Sequence, residues 1–287
     1  MPDDKKTTSE PWKKIADMWD TYFAPPSRVS KNEAAKYSEW LGRLNSEKKP
    51  MQALILGATP EIRDALKEHG YRTTVLDINL EMILAMDTLM SQPRGSDIIV
   101  KSDWLDNPLQ SGYYDIILGD AVLPNIRWHE RKTLLTEVKR LLKPGGCFIT
   151  RSFCVPKDKP YRDIDEILAH FSKKEPTFRT SLELVLELQI LSYDQKDHLG
   201  TFTVPKEMLK RLRDESGFSR YGKNLERLLG MVWDFWCTGF IDKVFVYAYR
   251  DEEEDDYRRY FSIIETFETD DHPYSKITPM YILRKDA

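Results

Sequence analysis

Three short stretches carry residue types that could act together on one ligand. Gly57 ends the apolar run MQALILG (51–57) and is followed by Ala58, Thr59 and Pro60. A glycine there lets a ligand approach the main chain, and the unpaired N–H groups of a starting helix can donate hydrogen bonds to it. Asp77 stands 20 residues after Gly57, at the end of the β-branched run YRTTVLD (71–77). A carboxylate at that place can accept both hydroxyls of a ribose. Asp103 and Trp104 close the run DIIVKSD (97–103), where a carboxylate can take a base's amino group and an aromatic ring can cover the base. The chemistry these residues suit is the holding of a nucleoside.

The elements that would position them alternate. MQALILG is short, apolar and ends in glycine, as a strand buried on both faces does. Thr59-Pro60-Glu61 then opens a helix, with threonine as its cap, proline at its first position and an acid in its first turn. Gly70 is its stop. YRTTVLD is the second strand, Met82 to Met90 a helix, DIIVKSD the third strand and YDIILGDAV (114–122) the fourth. A helix over 128–142 leads through LKPGG (142–146) into CFITRSF (147–153), the fifth strand. Repeated β-α units of this length predict a parallel sheet covered on both faces, and ligands of such sheets bind outside the carboxyl ends of the strands. All three candidate stretches fall at such ends.

Here the sequence resembles the class I methyltransferase family. LILGATPE (54–61) stands where that family has its glycine-rich first motif, TTVLDIN (73–79) where it has the following segment, and YYDIILGDAV (113–122) where it has its fourth strand. LLKPGG (141–146) ahead of a strand is the most specific piece. The resemblance implies an α/β fold: a Rossmann-like, mostly parallel seven-stranded sheet with an N-terminal helical segment and a large helical insertion after the fifth strand. It implies S-adenosylmethionine as cofactor. Gly57, Ala58 and Thr59 would line its methionine part, Asp77 would bind the ribose, and Ile78 and Met82 would flank the adenine. Asp103 and Trp104 would also address the adenine, and Asp120 would sit near the ammonium or sulfonium. The first motif departs from the family at Ile55, usually acidic, and at Thr59 and Glu61, usually glycine. Tyr22 or Arg28 from the N-terminal segment would complete that end.

The expected organisation is an N-terminal helical segment (1–48), the cofactor-binding core (49–153), a helical insertion forming a cap (154–256) and a closing strand pair (257–287). Within the first, Trp12, Ile15, Ala16 and Trp19 share helical spacing, the prolines of APPSRVS (24–30) interrupt, and a second helix starts near Lys31. Within the third, Thr180 and Glu183 have the spacing of a capping box, and 205–217 and 224–240 read as further helices. Trp233, Phe235, Trp236 and Phe240 read as packing of that region before a pocket. The acidic run RDEEEDD (250–256) reads as a solvated bend. Strands are expected over 259–268 and 278–285.

Other classes are set aside by composition. With 41% hydrophobic and 31% charged residues the chain has the make-up of a soluble globular protein, and its net charge of −4 gives no sequence-wide attraction to nucleic acid or to an anionic membrane. Cys147, Cys154 and Cys237 are widely spaced, and the five histidines lack metal-ligand spacing, so neither a disulfide framework nor a metal site is expected. The polar N-terminus and the lack of a long apolar run predict a cytoplasmic location. Nucleic-acid base methylation is disfavoured, because Asp120-Ala121-Val122-Leu123 replaces the Asn/Asp-Pro-Pro-aromatic motif of the exocyclic-amine enzymes. The expected acceptor is an O or N nucleophile of a small molecule, with a peptide or protein as the alternative. No catalytic base stands out; histidines 129, 170 and 272 are the candidates. A nicotinamide-dependent oxidoreductase would share the strand-glycine-helix start, but ATPEIR after Gly57 lacks the glycines on which a pyrophosphate lies. A non-catalytic module that binds the same nucleoside is the remaining alternative.

Overall fold

A computed structural model describes residue 19 and residues 23–47, 49–92, 95–239 and 244–286. The expectations placed on Trp12, Ile15, Ala16, Tyr22 and Phe240 lie outside the described residues.

Seven strands make the main sheet: β1 (Gln52–Leu56), β2 (Arg72–Asp77), β3 (Ile98–Lys101), β4 (Tyr114–Asp120), β5 (Leu142–Arg151), β6 (Ser262–Phe267) and β7 (Met280–Arg284). Their order is β3-β2-β1-β4-β5-β7-β6. The first five run parallel, and β7 is antiparallel to both β5 and β6. Strand order therefore reverses between β1 and β4, which opens a crevice at their carboxyl ends. Ala53, Leu54, Ile55 and Leu56 are all buried, as both faces of the sheet are covered. This α/β, Rossmann-like sheet is the one expected.

Helices α1 (Lys31–Leu44), α2 (Pro60–Glu68) and α3 (Leu80–Asp87) cover one face. Tyr37, Trp40 and Leu41 of α1 pack there with Ile62 and Leu66 of α2, Ile83 and Met86 of α3, and Ile55 and Val75 of the sheet. Ser30 starts α1 with a full capping box: its hydroxyl accepts the Glu33 N–H and Glu33 accepts its N–H in return. On the other face, α4 (Arg131–Leu141) lays Leu134, Leu135 and Val138 against Leu54, Ile117 and Phe148. The LKPGG stretch does not precede β5 but begins it, with the pairing to β4 shifting register beyond Tyr114.

Between β5 and β6 the chain builds a further core from α5 (Ile164–Phe171), α6 (Phe178–Ser192), α7 (Thr203–Ser216) and α8 (Lys223–Met231). Helix α6 is its centre, buried at every residue from Thr180 to Ile190. Its N-cap is Thr177, whose hydroxyl accepts the Thr180 N–H at 3.1 Å, so the capping box expected at Thr180 is corrected. The reason is that Thr180 and Glu183 already lie inside the helix, where Glu183 pairs with Lys174 at 2.9 Å. Helix α8 runs on into a π-helical turn, Val232–Trp236. The region is not wholly helical, since 199–201 and 244–246 form a short antiparallel ladder.

The acidic run is also corrected. Residues 250–256 are not a solvated bend but most of a helix, α9 (Arg250–Arg258). Its face at Glu253 and Tyr257 is buried: Glu253 lies 3.1 Å from the guanidinium of Arg131 on α4, and Tyr257 packs into the sheet core. Acids in the first turn also suit the positive end of a helix.

Candidate functional site

The carboxyl ends of β1, β2 and β4 open into one cavity of about 500 Å³. Gly57, Ala58, Thr59, Asp77, Ile78, Met82, Asp103, Trp104 and Asp120 all line it. The chain thus brings these nine candidates together. Tyr22 lies outside the described residues. Arg28 is not part of the lining; its guanidinium closes on Glu61 of α2 at 2.6 and 3.0 Å.

Local structure fixes each group. Gly57 takes φ +93°, a conformation an L side chain rarely adopts, and a Cβ built on it would project to 3.8 Å from the Trp104 ring. The glycine is therefore what keeps the space between the β1 end and Trp104 clear. Trp104 is held by its own indole N–H, which donates to the Leu76 carbonyl at 2.8 Å. Asp77 is buried at the β2 end, and its Oδ1 accepts the Asn79 N–H at 2.7 Å, so the carboxylate is set by the turn that starts α3. Asn79 in turn caps α3 through the Met82 N–H. Asp103 Oδ1 accepts the Leu105 N–H at 2.9 Å. Ile78 is 43% exposed at the rim.

The floor holds a buried charge network that the sequence reading missed. Arg151, the last residue of β5, is 2% exposed and forks onto Asp120 at 2.7 and 3.1 Å. The same guanidinium donates to the Pro26 carbonyl at 2.7 Å and lies 3.3 Å from Glu33. His272 approaches Glu33 from the other side at 3.4 Å. Burial raises the Glu33 carboxyl, yet Arg151, His272 and the Ser30 N–H outweigh it and hold the group below its ordinary value of 4.5. Tyr37 ties the network to the sheet, donating to the Gly119 carbonyl at 2.9 Å and accepting the Arg151 N–H at 3.1 Å. Burial, then the charge on Asp120, push its phenol well above the usual range, so it stays protonated. Asp120 is thus one half of an ion pair. The signal for this was present: one arginine in the otherwise apolar-to-neutral CFITRSF.

Ala121, next in the lining, has φ +51°, uncommon for a residue with a side chain. Histidines 129, 170 and 272 do not line the cavity. Its far wall comes from the region after β5: Phe153, Leu182, Val185, Gln189, Phe202, Trp236, Phe245 and Tyr247. The π turn presents Trp236, whose indole N–H donates to Ser181 at 3.0 Å. Trp236 therefore serves both as packing and as pocket wall.

A family model described as a methyltransferase domain matches residues 56–150, the span that carries the β1, β2 and β4 ends. Over that span the chain is similar to a methyltransferase domain. No curated protein matches the sequence. Among solved structures, one from Rhodobacter sphaeroides whose name refers to zinc-dependent alcohol dehydrogenases is similar at TM-score 0.57 and 16% identity, over 100% of both chains. N-methyltransferase NodS from Bradyrhizobium japonicum, in complex with S-adenosyl-L-homocysteine, is similar at 0.51 and 11%, over 97% of this chain and 100% of that one. A 1,6-didemethyltoxoflavin-N1-methyltransferase from Burkholderia thailandensis is similar at 0.51 and 12%, over 96% and 84%. At these identities the likeness shows the fold alone. Among the described residues no group of three or more His, Cys, Asp or Glu is placed to hold a metal ion.

The residues at the strand ends fit S-adenosylmethionine, the cofactor that the resemblance implies. The space a Cβ at Gly57 would fill, the Trp104 ring beside it and the buried Asp77 carboxylate form a cradle of the size and polarity a nucleoside needs. The start of α2 adds main-chain N–H groups, since Thr59 gives it no side-chain cap. Among the described residues no helix is long and apolar enough to cross a membrane.

Proposed function

We propose that this chain is an S-adenosylmethionine-dependent methyltransferase that transfers the methyl group to an oxygen or nitrogen of a small molecule. The observation that carries the reading is that the strand-end residues and the far wall line one cavity of about 500 Å³. That size is in the range, roughly 300–1,000 Å³, of small-molecule sites. It leaves room for the cofactor and a small acceptor.

In this reading Asp77 accepts the ribose hydroxyls, Asp103 and Trp104 meet the adenine with Ile78 and Met82 at its edges, and Gly57, Ala58 and Thr59 line the methionine part. Asp120 lies at that end as the partner of Arg151, so it contributes fixed geometry more than free charge. When bound, the cofactor supplies an electrophilic methyl on a sulfonium and leaves as a neutral thioether. The protein's task is to align the acceptor with that methyl and keep water away, which is where effective molarity arises. The described lining has no histidine, cysteine or lysine; its ionisable side chains are Asp77, Asp103, Asp120, Arg127, Glu130, Arg151 and Tyr247, so a protein base for an acceptor that must lose a proton would be a carboxylate. Residues 154–249 act as the cap that selects it, and the core spans 49–153 with the closing strands.

The test is to incubate the protein with methyl-labelled S-adenosylmethionine and a cell extract, then separate small molecules from acid-precipitable material. Label in the small-molecule fraction is expected. Label confined to protein or nucleic acid would overturn the proposal.

A further inference from the structure

The acceptor half of the cavity has its own built chemistry. Tyr247 is buried with its ring seated on Gly200: a Cβ there would meet the ring at 2.0 Å. Phe153 stacks on the ring at 5.4 Å and Phe245 lies parallel to it at 6.1 Å. The Tyr247 main chain is tied at both ends, its N–H to His198 and its carbonyl to the Tyr193 hydroxyl. A phenol held so tightly is aimed, yet its hydroxyl makes no hydrogen bond with the described residues and is not sealed among protein atoms. Burial raises its pKa, so the hydroxyl keeps its proton and donates.

Gln189 on α6 repeats the pattern beside it. Its Nε2 donates to the carbonyl of Thr201, next to Gly200, while its Oε1 has no partner among the described residues. The side chain is 2% exposed and lines the cavity. Two polar groups, one donor and one acceptor, thus meet an otherwise aromatic and aliphatic wall of Phe153, Val185, Phe202, Trp236 and Phe245. None of these far-wall residues is charged; the cavity's charged side chains, among them Arg127, Glu130 and the Arg151–Asp120 pair, come from the segments at the strand ends. A charged acceptor would lose its hydration against that wall without a partner. Flat rings are what aromatic walls stack against best.

We propose that the acceptor is an uncharged planar ring compound bearing a hydroxyl or ring N–H, stacked between these aromatic side chains and hydrogen-bonded by Tyr247 and Gln189. This rests on the small-molecule reading above, and the experiment separates the two. The protein is saturated with S-adenosylhomocysteine, and binding of 2-naphthol, naphthalene and 2-naphthoate is measured by calorimetry and saturation-transfer NMR. 2-Naphthol is expected to bind saturably, with 2-naphthoate at least tenfold weaker. Tyr247→Phe, which keeps the ring and its packing, and Gln189→Leu should each weaken 2-naphthol by about three- to tenfold. Neither should change naphthalene binding, a result that a merely structural role would not give. Equal binding of 2-naphthoate, no saturable binding of 2-naphthol, or variants that affect naphthalene equally would overturn the inference while the small-molecule reading stands. Label in macromolecules alone, in the experiment above, would overturn both.

Discussion

Replacing Arg151 by methionine removes one guanidinium and strands two carboxylates. Glu33 is 1% exposed and Asp120 11%, with Arg151 at 3.3 and 2.7 Å. At such distances and an effective dielectric constant of about 20, each pair attracts by about 5 kcal/mol, most of it offset by the cost of taking the charges out of water. Removing the one cation leaves that cost uncovered, a loss of about 3–5 kcal/mol for a buried pair. At roughly 2–4 °C per kcal/mol, Tm at pH 7 should fall by roughly 6–20 °C. The Pro26 carbonyl also loses its 2.7 Å donor, and Pro26 lines the cavity, so affinity for S-adenosylhomocysteine should fall as well. Differential scanning calorimetry at pH 7 and pH 4 measures the first effect. The deficit should shrink at pH 4, where the stranded carboxylates take up protons. Arg151→Lys, which keeps the charge without the fork, should fall between. A drop of under 2 °C, or one equal at both pH values, would refute the reasoning.

Asp77→Ala should cost about 1.5–3 kcal/mol of cofactor binding, a fall of tenfold or more in affinity, with little change in the Tm of the free protein; calorimetric titration reads it. Gly57→Ala puts a Cβ at φ +93° into the space beside Trp104, so S-adenosylhomocysteine affinity should fall at least tenfold by the same titration. Glu253→Gln leaves Arg131 with Asp256 alone at 3.1 Å, and denaturant unfolding should show a loss of about 3 kcal/mol. Glu33 titrates below its ordinary value, so its contribution to stability is full above about pH 4.5 and is lost as pH falls through the lowered folded value. The stability gap between wild type and Glu33→Gln should therefore narrow from pH 6 towards pH 3.

The strand ends were legible because they follow from local signals. A buried strand reads as an apolar run, and Gly57, Asp77 and Asp103-Trp104 each stand where such a run stops. What the sequence hid depends on partners far along the chain. Arg151 finds Asp120 31 positions back and Pro26 125 back, and no periodicity announces either. The acidic helix α9 reads as solvated until Glu253 meets Arg131, 122 positions away. Helix α6 carries apolar residues all round because other elements bury it on every side, so its pattern could not reveal that Gln189 faces a pocket. The seat of Tyr247 on Gly200 needs the ladder of 199–201 with 244–246, two segments too short to read as strands.

The central claim is that the β1, β2 and β4 ends hold S-adenosylmethionine and not a nicotinamide dinucleotide. Isothermal titration of the purified protein with S-adenosylmethionine, S-adenosylhomocysteine, NAD+ and NADH tests it most directly. Saturable binding of the first two at one site per chain, with no heat from the dinucleotides, is the predicted result. Binding of NAD+ or NADH with no response to either adenosyl compound would contradict it.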